Sequence, residues 1–238
     1  MAERSPEQFP LPLAFPAAQG AEDFLVSGSN RAAAEWIGRW PDWRFSVLAI
    51  CGPVGSGKTH LGGIWRRRAG AAKIEAGPIS VEQAALAARA GAVLIDDADR
   101  AIGDRAAETA LLHLYNMLQA DGGRMLITGA SPPAAWRFAL PDLASRLKTA
   151  LVAPIAVPDE GLMRAIAVKL LADRRIMASE DVIALLLSLG ERSAAGIARS
   201  IAALDAASLS RKQPINASLA RDILPKLAAA PEDGRCFD

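Results

Sequence analysis

The stretch Gly52-Pro53-Val54-Gly55-Ser56-Gly57-Lys58-Thr59 has the residue types and spacing to hold a polyphosphate. It fits G-x-x-x-x-G-K-[ST] at every fixed position. The glycines let successive backbone N–H groups turn inward around phosphate oxygens, and a helix starting at Lys58 aims the positive end of its dipole at the same point. Lys58 supplies an ammonium for the β- and γ-phosphates of ATP, or the β-phosphate of ADP. The Thr59 hydroxyl is an oxygen ligand for Mg²⁺, and His60 ends the cofactor-facing run.

A second acidic element follows one strand later. Val93-Leu94-Ile95-Asp96-Asp97 is an apolar strand ending in paired carboxylates. Taken alone it also describes an ordinary strand end. Behind a matched phosphate loop it is the expected second metal anchor, with Asp96 holding Mg²⁺ directly or through water and Asp97 placed to orient an attacking water. Arg146 follows the fourth strand, and Arg192 opens a late helix. Either could be an exposed surface arginine. His60 and His113 have no Cys or carboxylate at metal-binding spacing and read as helix residues.

These groups need strands to carry them. Apolar segments at 45–51, 72–76, 92–97, 124–129 and 150–156 alternate with helical stretches at 29–39, 58–69, 80–90, 104–120 and 140–148. That alternation predicts an α/β core, residues 21–157, built on a parallel sheet. Beyond Pro158 the pattern turns wholly helical, at 159–174, 179–188, 193–210 and 216–229, with Asp159, Ser179, Ser193 and Asn216 as N-caps. A small helical lid is therefore expected over 158–230, followed by a tail at 231–238. Residues 1–20 hold Pro6, Pro10, Pro12 and Pro16 and read as an extended arm.

Composition narrows the classes. A formal net charge of +1 is not the basic footprint of a protein that grips nucleic acid alone. Trp36, Trp40 and Trp43, close together in a near-neutral chain, read as packing rather than a base-stacking platform. The cysteines, Cys51 in a strand and Cys236 near the C-terminus, make no disulfide framework, which suits a reducing cytoplasm. There is no signal-peptide core, and the longest apolar run, 182–187, is too short to cross a membrane.

An α/β core followed by a helical lid is the organisation of AAA+ proteins, and finer segments resemble the DnaA clade. Asp23-Phe-Leu-Val-Ser-Gly-Ser-Asn30 is similar to the adenine-side segment of DnaA. Leu94-Ile-Asp-Asp-Ala-Asp99, Leu112-His-Leu-Tyr-Asn116 and Leu126-Ile-Thr-Gly129 followed by Pro132-Pro133 resemble successive DnaA core segments. Leu140-Pro-Asp-Leu-Ala-Ser-Arg-Leu147 most resembles the Hda (HdaA) regulatory inactivators. So does the arm: Gln8, Phe9, Pro10, Leu11, Pro12 and Leu13 resemble their sliding-clamp-binding peptide, a stiff segment whose leucines can fill an apolar pocket. The end of the chain at Asp238 leaves no room for the DNA-binding domain of DnaA, which again favours the Hda type.

The resemblance implies roles. Phe24, Val26 and Asn30 face adenine; Gly52 to Thr59 and His60 hold ADP or ATP with Mg²⁺ on Thr59 and Asp96. Arg192 is the lid arginine that reads the chain's own nucleotide, and Arg146 is the finger offered in trans to a neighbour. The implied partners are DnaA and the β sliding clamp of DNA polymerase III, with DNA met mainly through the clamp. Self-association is left open, and no membrane is involved. The implied function is a cytoplasmic regulator that stimulates ATP hydrolysis by DnaA and represses re-initiation. One departure bears on the chain's own hydrolysis: Ala130 stands where DnaA has the sensor 1 aspartate, with Thr128 and Ser131 as stand-ins. The rival reading is a self-sufficient AAA+ ATPase, such as a helicase loader or DNA-remodelling motor.

Overall fold

Five short apolar segments form one parallel sheet in the computed structural model, which describes residues 24–75 and 77–229. The arm residues Gln8, Phe9, Pro10, Leu11, Pro12 and Leu13, and the tail 231–238, lie outside the described residues. The strands are β1 (Val47–Cys51), β2 (Ala72–Glu75), β3 (Ala92–Asp96), β4 (Arg124–Gly129) and β5 (Leu151–Pro154), in the order β2-β3-β4-β1-β5. All neighbours run parallel. β1 and β3 are buried at every position, because helices cover both faces of a parallel sheet and leave no polar side to alternate with. β2, at the edge, alternates between half-buried and exposed.

The two-residue period of each strand sorts its side chains between two cores. Val93, Ile95, Met125 and Ile127 face one core with Leu111, Leu114 and Leu143. These last three belong to α4 (Arg105–Ala120) and α5 (Pro141–Leu147). Leu48, Ile50, Leu94 and Leu126 face the other with Ala33, Ile37, Leu61 and Trp65, from α1 (Arg31–Gly38) and α2 (Lys58–Ala69). Between α2 and α4, α3 (Val81–Ala88) starts with a capping box in which the Ser80 hydroxyl accepts from the Gln83 N–H and the Gln83 side chain accepts from the Ser80 N–H.

The tryptophans act as packing. Trp43 lies parallel on Trp65 with centroids 5.3 Å apart, Trp40 meets both edge-on, and the Trp43 indole N–H donates to the Trp36 carbonyl at 2.8 Å. These contacts fix α1 against α2.

Past β5 come α6 (Glu160–Asp173), α7 (Glu180–Leu189), α8 (Ala194–Arg211) and α9 (Ala217–Ala229). They enclose a core of their own, including Leu171, Val182, Leu186, Ile197, Ile201 and Leu204. The Asp159, Ser193 and Asn216 side chains accept from the N–H groups of Leu162, Gly196 and Leu219, as caps should. Ser179 occupies the cap position of α7 without such a bond; Glu180 and Asp181 in the first turn meet the helix dipole instead.

Among the described residues, three strands are shorter than their apolar runs: β1 starts at Val47 rather than at 45. β3 stops at Asp96 because Asp97 takes left-handed backbone angles (φ 50°, ψ 46°). β5 stops at Pro154: the Ile155 N–H still donates to Cys51, but the Ala156 N–H turns to Ser29, which precedes α1.

A buried carboxylate orients the segment that carries α5. Glu108, fully enclosed on α4, accepts from the Gly103 and Ala139 N–H groups at Oε1 (2.7 and 2.8 Å) and from the Leu140 N–H at Oε2 (2.7 Å). Leu140 caps α5. Removing the acceptor strands three donors at once, so Glu108→Ala should cost about 3 kcal/mol in urea unfolding, with Glu108→Gln costing less because its amide oxygen still accepts. Unfolding midpoints for the two variants equal to that of the parent would show that this carboxylate does not hold the turn.

Candidate functional site

The C-terminal ends of β1, β3 and β4 lie side by side, with Cys51 opposite Gly129 in register and Glu75 opposite Asp96 at the β2 edge. This is the rim at which parallel α/β sheets place their ligand sites. β1 delivers the chain to Gly52, where a Cβ would sit 2.2 Å from the Ile155 carbonyl oxygen, so only glycine fits. Gly55 (φ 75°) and Gly57 (φ 98°) take left-handed angles that curl the loop back on itself. Lys58 then begins α2, almost buried, and its ammonium donates to the Gly52 and Pro53 carbonyls at 2.8 Å each. The Ser56 hydroxyl is buried with no hydrogen-bond partner among the described residues. Val54, at the loop apex, is exposed.

Asp96 gathers the neighbouring elements. Its Oδ1 accepts from the Thr128 hydroxyl at 2.7 Å and the Thr59 hydroxyl at 3.3 Å. Its Oδ2 lies 3.4 Å from the Lys73 ammonium. Thr128, fully buried on β4, also accepts from the Asp97 N–H at 2.8 Å, which fixes the left-handed turn after the strand. The Asp97 side chain makes no hydrogen bond or ion pair among the described residues.

Burial acts to lower the Lys73 pKa, but hydrogen bonds and charge from Glu75 and Asp96 outweigh it and hold the ammonium above its ordinary value. Burial first, and the Asp99 charge second, push the Cys51 thiol up to about 11 against the opposing pull of Lys58. Cys51 is therefore a neutral packing group at the root of the loop.

Around this centre the other expected residues are distributed unevenly. Phe24 stands against Gly57 and meets the His60 ring edge-on, centroids 5.5 Å apart, so both flank the base of the loop. Val26 is exposed. Asn30 is buried and turned on its own segment: its Oδ1 accepts from the Ser27 N–H and its Nδ2 donates to the Leu25 carbonyl, both at 2.9 Å. It shapes the turn that carries Phe24 and Val26.

Ser193, the cap of α8, touches the loop itself, since a Cβ on Gly55 would fall 2.4 Å from the Ser193 Cβ. Its hydroxyl donates to Glu191 at 2.6 Å and accepts from the Gly196 N–H at 2.9 Å. Arg192, exposed and without an ion pair among the described residues, is thereby held one residue from the loop.

Arg146 belongs to a different surface. Its guanidinium donates to the Asp142 carbonyl at 3.3 Å and lies over the Tyr115 ring, 5.5 Å from its centroid, with no carboxylate partner among the described residues. Ala130 is exposed, and its N–H donates to Asp99 Oδ2 at 2.8 Å, so a carboxylate does stand at that end of β4. Ser131 uses its carbonyl to accept from the Trp136 indole.

Lys73, Asp99 and Glu108 were not legible as site or support residues. Lys73 meets Asp96 through the parallel register of β2 and β3, Asp99 meets the Ala130 N–H at the end of β4, and Glu108 meets the turn before α5, contacts that no spacing along the chain encodes. Among the described residues no cluster of three or more His, Cys, Asp or Glu could hold a metal ion by itself, and no helix is long and apolar enough to cross a membrane.

No protein-family model matches this chain. Over 210 residues it is 30% identical to the chromosomal replication initiator protein DnaA of Sphingopyxis alaskensis, covering 78% of this chain and 46% of that relative, so it spans less than half of the relative's length. Domain III of the Thermotoga maritima replication initiation protein DnaA superposes with a TM-score of 0.70 at 22% identity, over 88% of this chain and 98% of that one. AMPPCP-bound DnaA from Aquifex aeolicus gives 0.63 at 21% identity, over 80% and 67%. The Thermotoga maritima RuvB Holliday junction branch migration motor gives 0.59 at 15% identity, over 80% and 64%. The likeness to these solved structures is one of fold. With the β2-β3-β4-β1-β5 sheet and the helical unit after it, the chain holds a DnaA-like AAA+ domain.

Proposed function

We propose that this chain is a nucleotide-binding regulator of a DnaA-type initiator, working by lending Arg146 to the partner's ATP site. ADP or ATP binds along Gly52 to Thr59, with Lys58 leaving the loop carbonyls for the phosphates. The unpartnered Ser56 hydroxyl and the glycine cradle supply vacant polar capacity for phosphate oxygens. Thr59 and Asp96 are an oxygen donor set suited to Mg²⁺, a hard cation. When bound, Mg²⁺ would offset phosphate charge. Phe24 and Val26 flank the base, Asn30 holds their turn, and Arg192 reaches the phosphates from the lid.

The observation that carries the proposal is the state of Arg146. It is a half-buried guanidinium with no carboxylate partner among the described residues, seated on a short helix whose start is fixed by Glu108. An arginine held this way and left unneutralised suits a phosphate brought by another molecule. In the partner's site, water attacks the γ-phosphorus as the bond to the β-phosphate oxygen breaks, giving ADP and phosphate. The guanidinium stabilises charge on the oxygens of the transferred group. The chain's own turnover is slow, because Ala130 offers no side-chain acid or donor to its own nucleotide. Gln8, Phe9, Pro10, Leu11, Pro12 and Leu13 tether the protein to the β sliding clamp, which concentrates it where the initiator must be switched off.

Two measurements test this. Lys58→Ala should weaken ADP and ATP binding roughly 10- to 100-fold in calorimetry and remove the nucleotide-dependent rise in Tm; unchanged binding would refute the nucleotide site. ATP prebound to DnaA should be hydrolysed in a single turnover when the chain and clamp-loaded DNA are added, and Arg146→Ala should lose roughly 10³-fold or more of that stimulation while keeping its own nucleotide. Full stimulation by Arg146→Ala would reject the finger. Hydrolysis by this chain alone, unaffected by DnaA, would instead support the self-sufficient ATPase.

A further inference from the structure

Both oxygens of Asp96 already have partners. Oδ1 takes the Thr59 and Thr128 hydroxyls, and Oδ2 faces the Lys73 ammonium at 3.4 Å. Lys73 comes from β2, the edge strand. The parallel register sets Glu75, two residues on and on the same face, opposite Asp96, so Lys73 reaches along the sheet to both carboxylates, 2.5 Å from Glu75 Oε1. The Asp96 side chain is 6% exposed and that of Lys73 26%, so the pair is partly withdrawn from water and weakly screened. A divalent cation drawn to Thr59 and Asp96 meets a fixed positive charge already on the same carboxylate.

Resting on the nucleotide site proposed above, we infer that Lys73 is a tethered counter-cation for Asp96, one that takes over part of the divalent ion's charge and makes nucleotide binding largely independent of Mg²⁺. The ammonium, shared with Glu75, offsets part of the Asp96 charge, which would otherwise repel a polyphosphate bound at the adjoining loop. It also competes with the metal for Oδ2. Both effects flatten the response of nucleotide affinity to the metal: without Mg²⁺ the site keeps its compensating charge, and with Mg²⁺ it gains little more. Such a site holds nucleotide firmly while presenting a weak metal centre, in keeping with slow turnover of its own ATP.

The test is ADP affinity with Mg²⁺ and with EDTA, by calorimetry on the full chain, for the parent, Lys73→Met and Lys73→Arg. Parent affinity should change by less than about threefold on removing Mg²⁺, while Lys73→Met should lose about tenfold or more in EDTA and recover in Mg²⁺, because an uncompensated carboxylate then faces the phosphates. Lys73→Arg, which keeps the charge, should behave like the parent. Direct Mn²⁺ binding to the nucleotide-free protein, read by electron paramagnetic resonance, should tighten in Lys73→Met and stay unchanged in Lys73→Arg. Equal metal dependence in parent and Lys73→Met, with both folded by circular dichroism, would overturn the inference and leave the nucleotide site standing. No ADP binding by the parent under either condition would reject the nucleotide site, and unaltered Mn²⁺ binding in Lys73→Met would by itself reject the competition.

Discussion

A buried carboxylate needs partners, and Asp96 takes them from three separate elements. Its two oxygens are shared among Thr59 on α2, Thr128 on β4 and Lys73 on β2. A lone anion at 5% exposure would be strongly disfavoured; with two hydroxyls and an ammonium it becomes a junction. Thr128 extends the junction by receiving the Asp97 N–H, which stabilises the left-handed turn that carries Asp97 off the strand. The end of the sheet, the start of α2 and the acidic turn are therefore positioned as one unit, and the geometry of the glycine loop follows from where α2 begins.

The loop in turn links the two parts of the molecule. Gly55 accepts the side chain of Ser193 at a distance that any Cβ would forbid. Ser193 caps α8, and Arg192 precedes it. A change in the loop therefore presses on the first turn of α8, and movement of the helical unit carries Arg192 relative to the loop. Gly196 tightens the same turn, since a Cβ there would sit 2.5 Å from the Glu191 Cβ. Small residues at both contacts let two surfaces meet with little intervening side chain to absorb a displacement.

Much of this was legible in the sequence, for reasons that can be named. The α/β core showed in the alternation of apolar runs with helical periods, and the tight loop after β1 in its fixed glycines, because local backbone demands leave a local trace. The acidic pair after β3 was legible by its position after the loop. Three things were hidden. Lys73 lies on an edge strand and reaches Asp96 only through parallel pairing, which no spacing along the chain encodes. Glu108 looks like an ordinary helix acid until the turn before α5 folds over it. Asn30, expected to face adenine, spends both ends of its amide on its own turn, and short-range spacing could not tell a ligand contact from a local staple. Ser179 caps α7 as its residue type suggested, but without a side-chain hydrogen bond, a detail that residue type alone does not set.

That Arg146 acts on a nucleotide held by another protein is the proposal most open to experiment. Its most direct test is a structure of the assembly of this chain, the β clamp on DNA and DnaA loaded with AMPPCP. The Arg146 guanidinium should lie within about 3 Å of a terminal phosphate oxygen in the DnaA site. A complex in which Arg146 faces solvent or its own chain, while a different arginine or none reaches that phosphate, would contradict it.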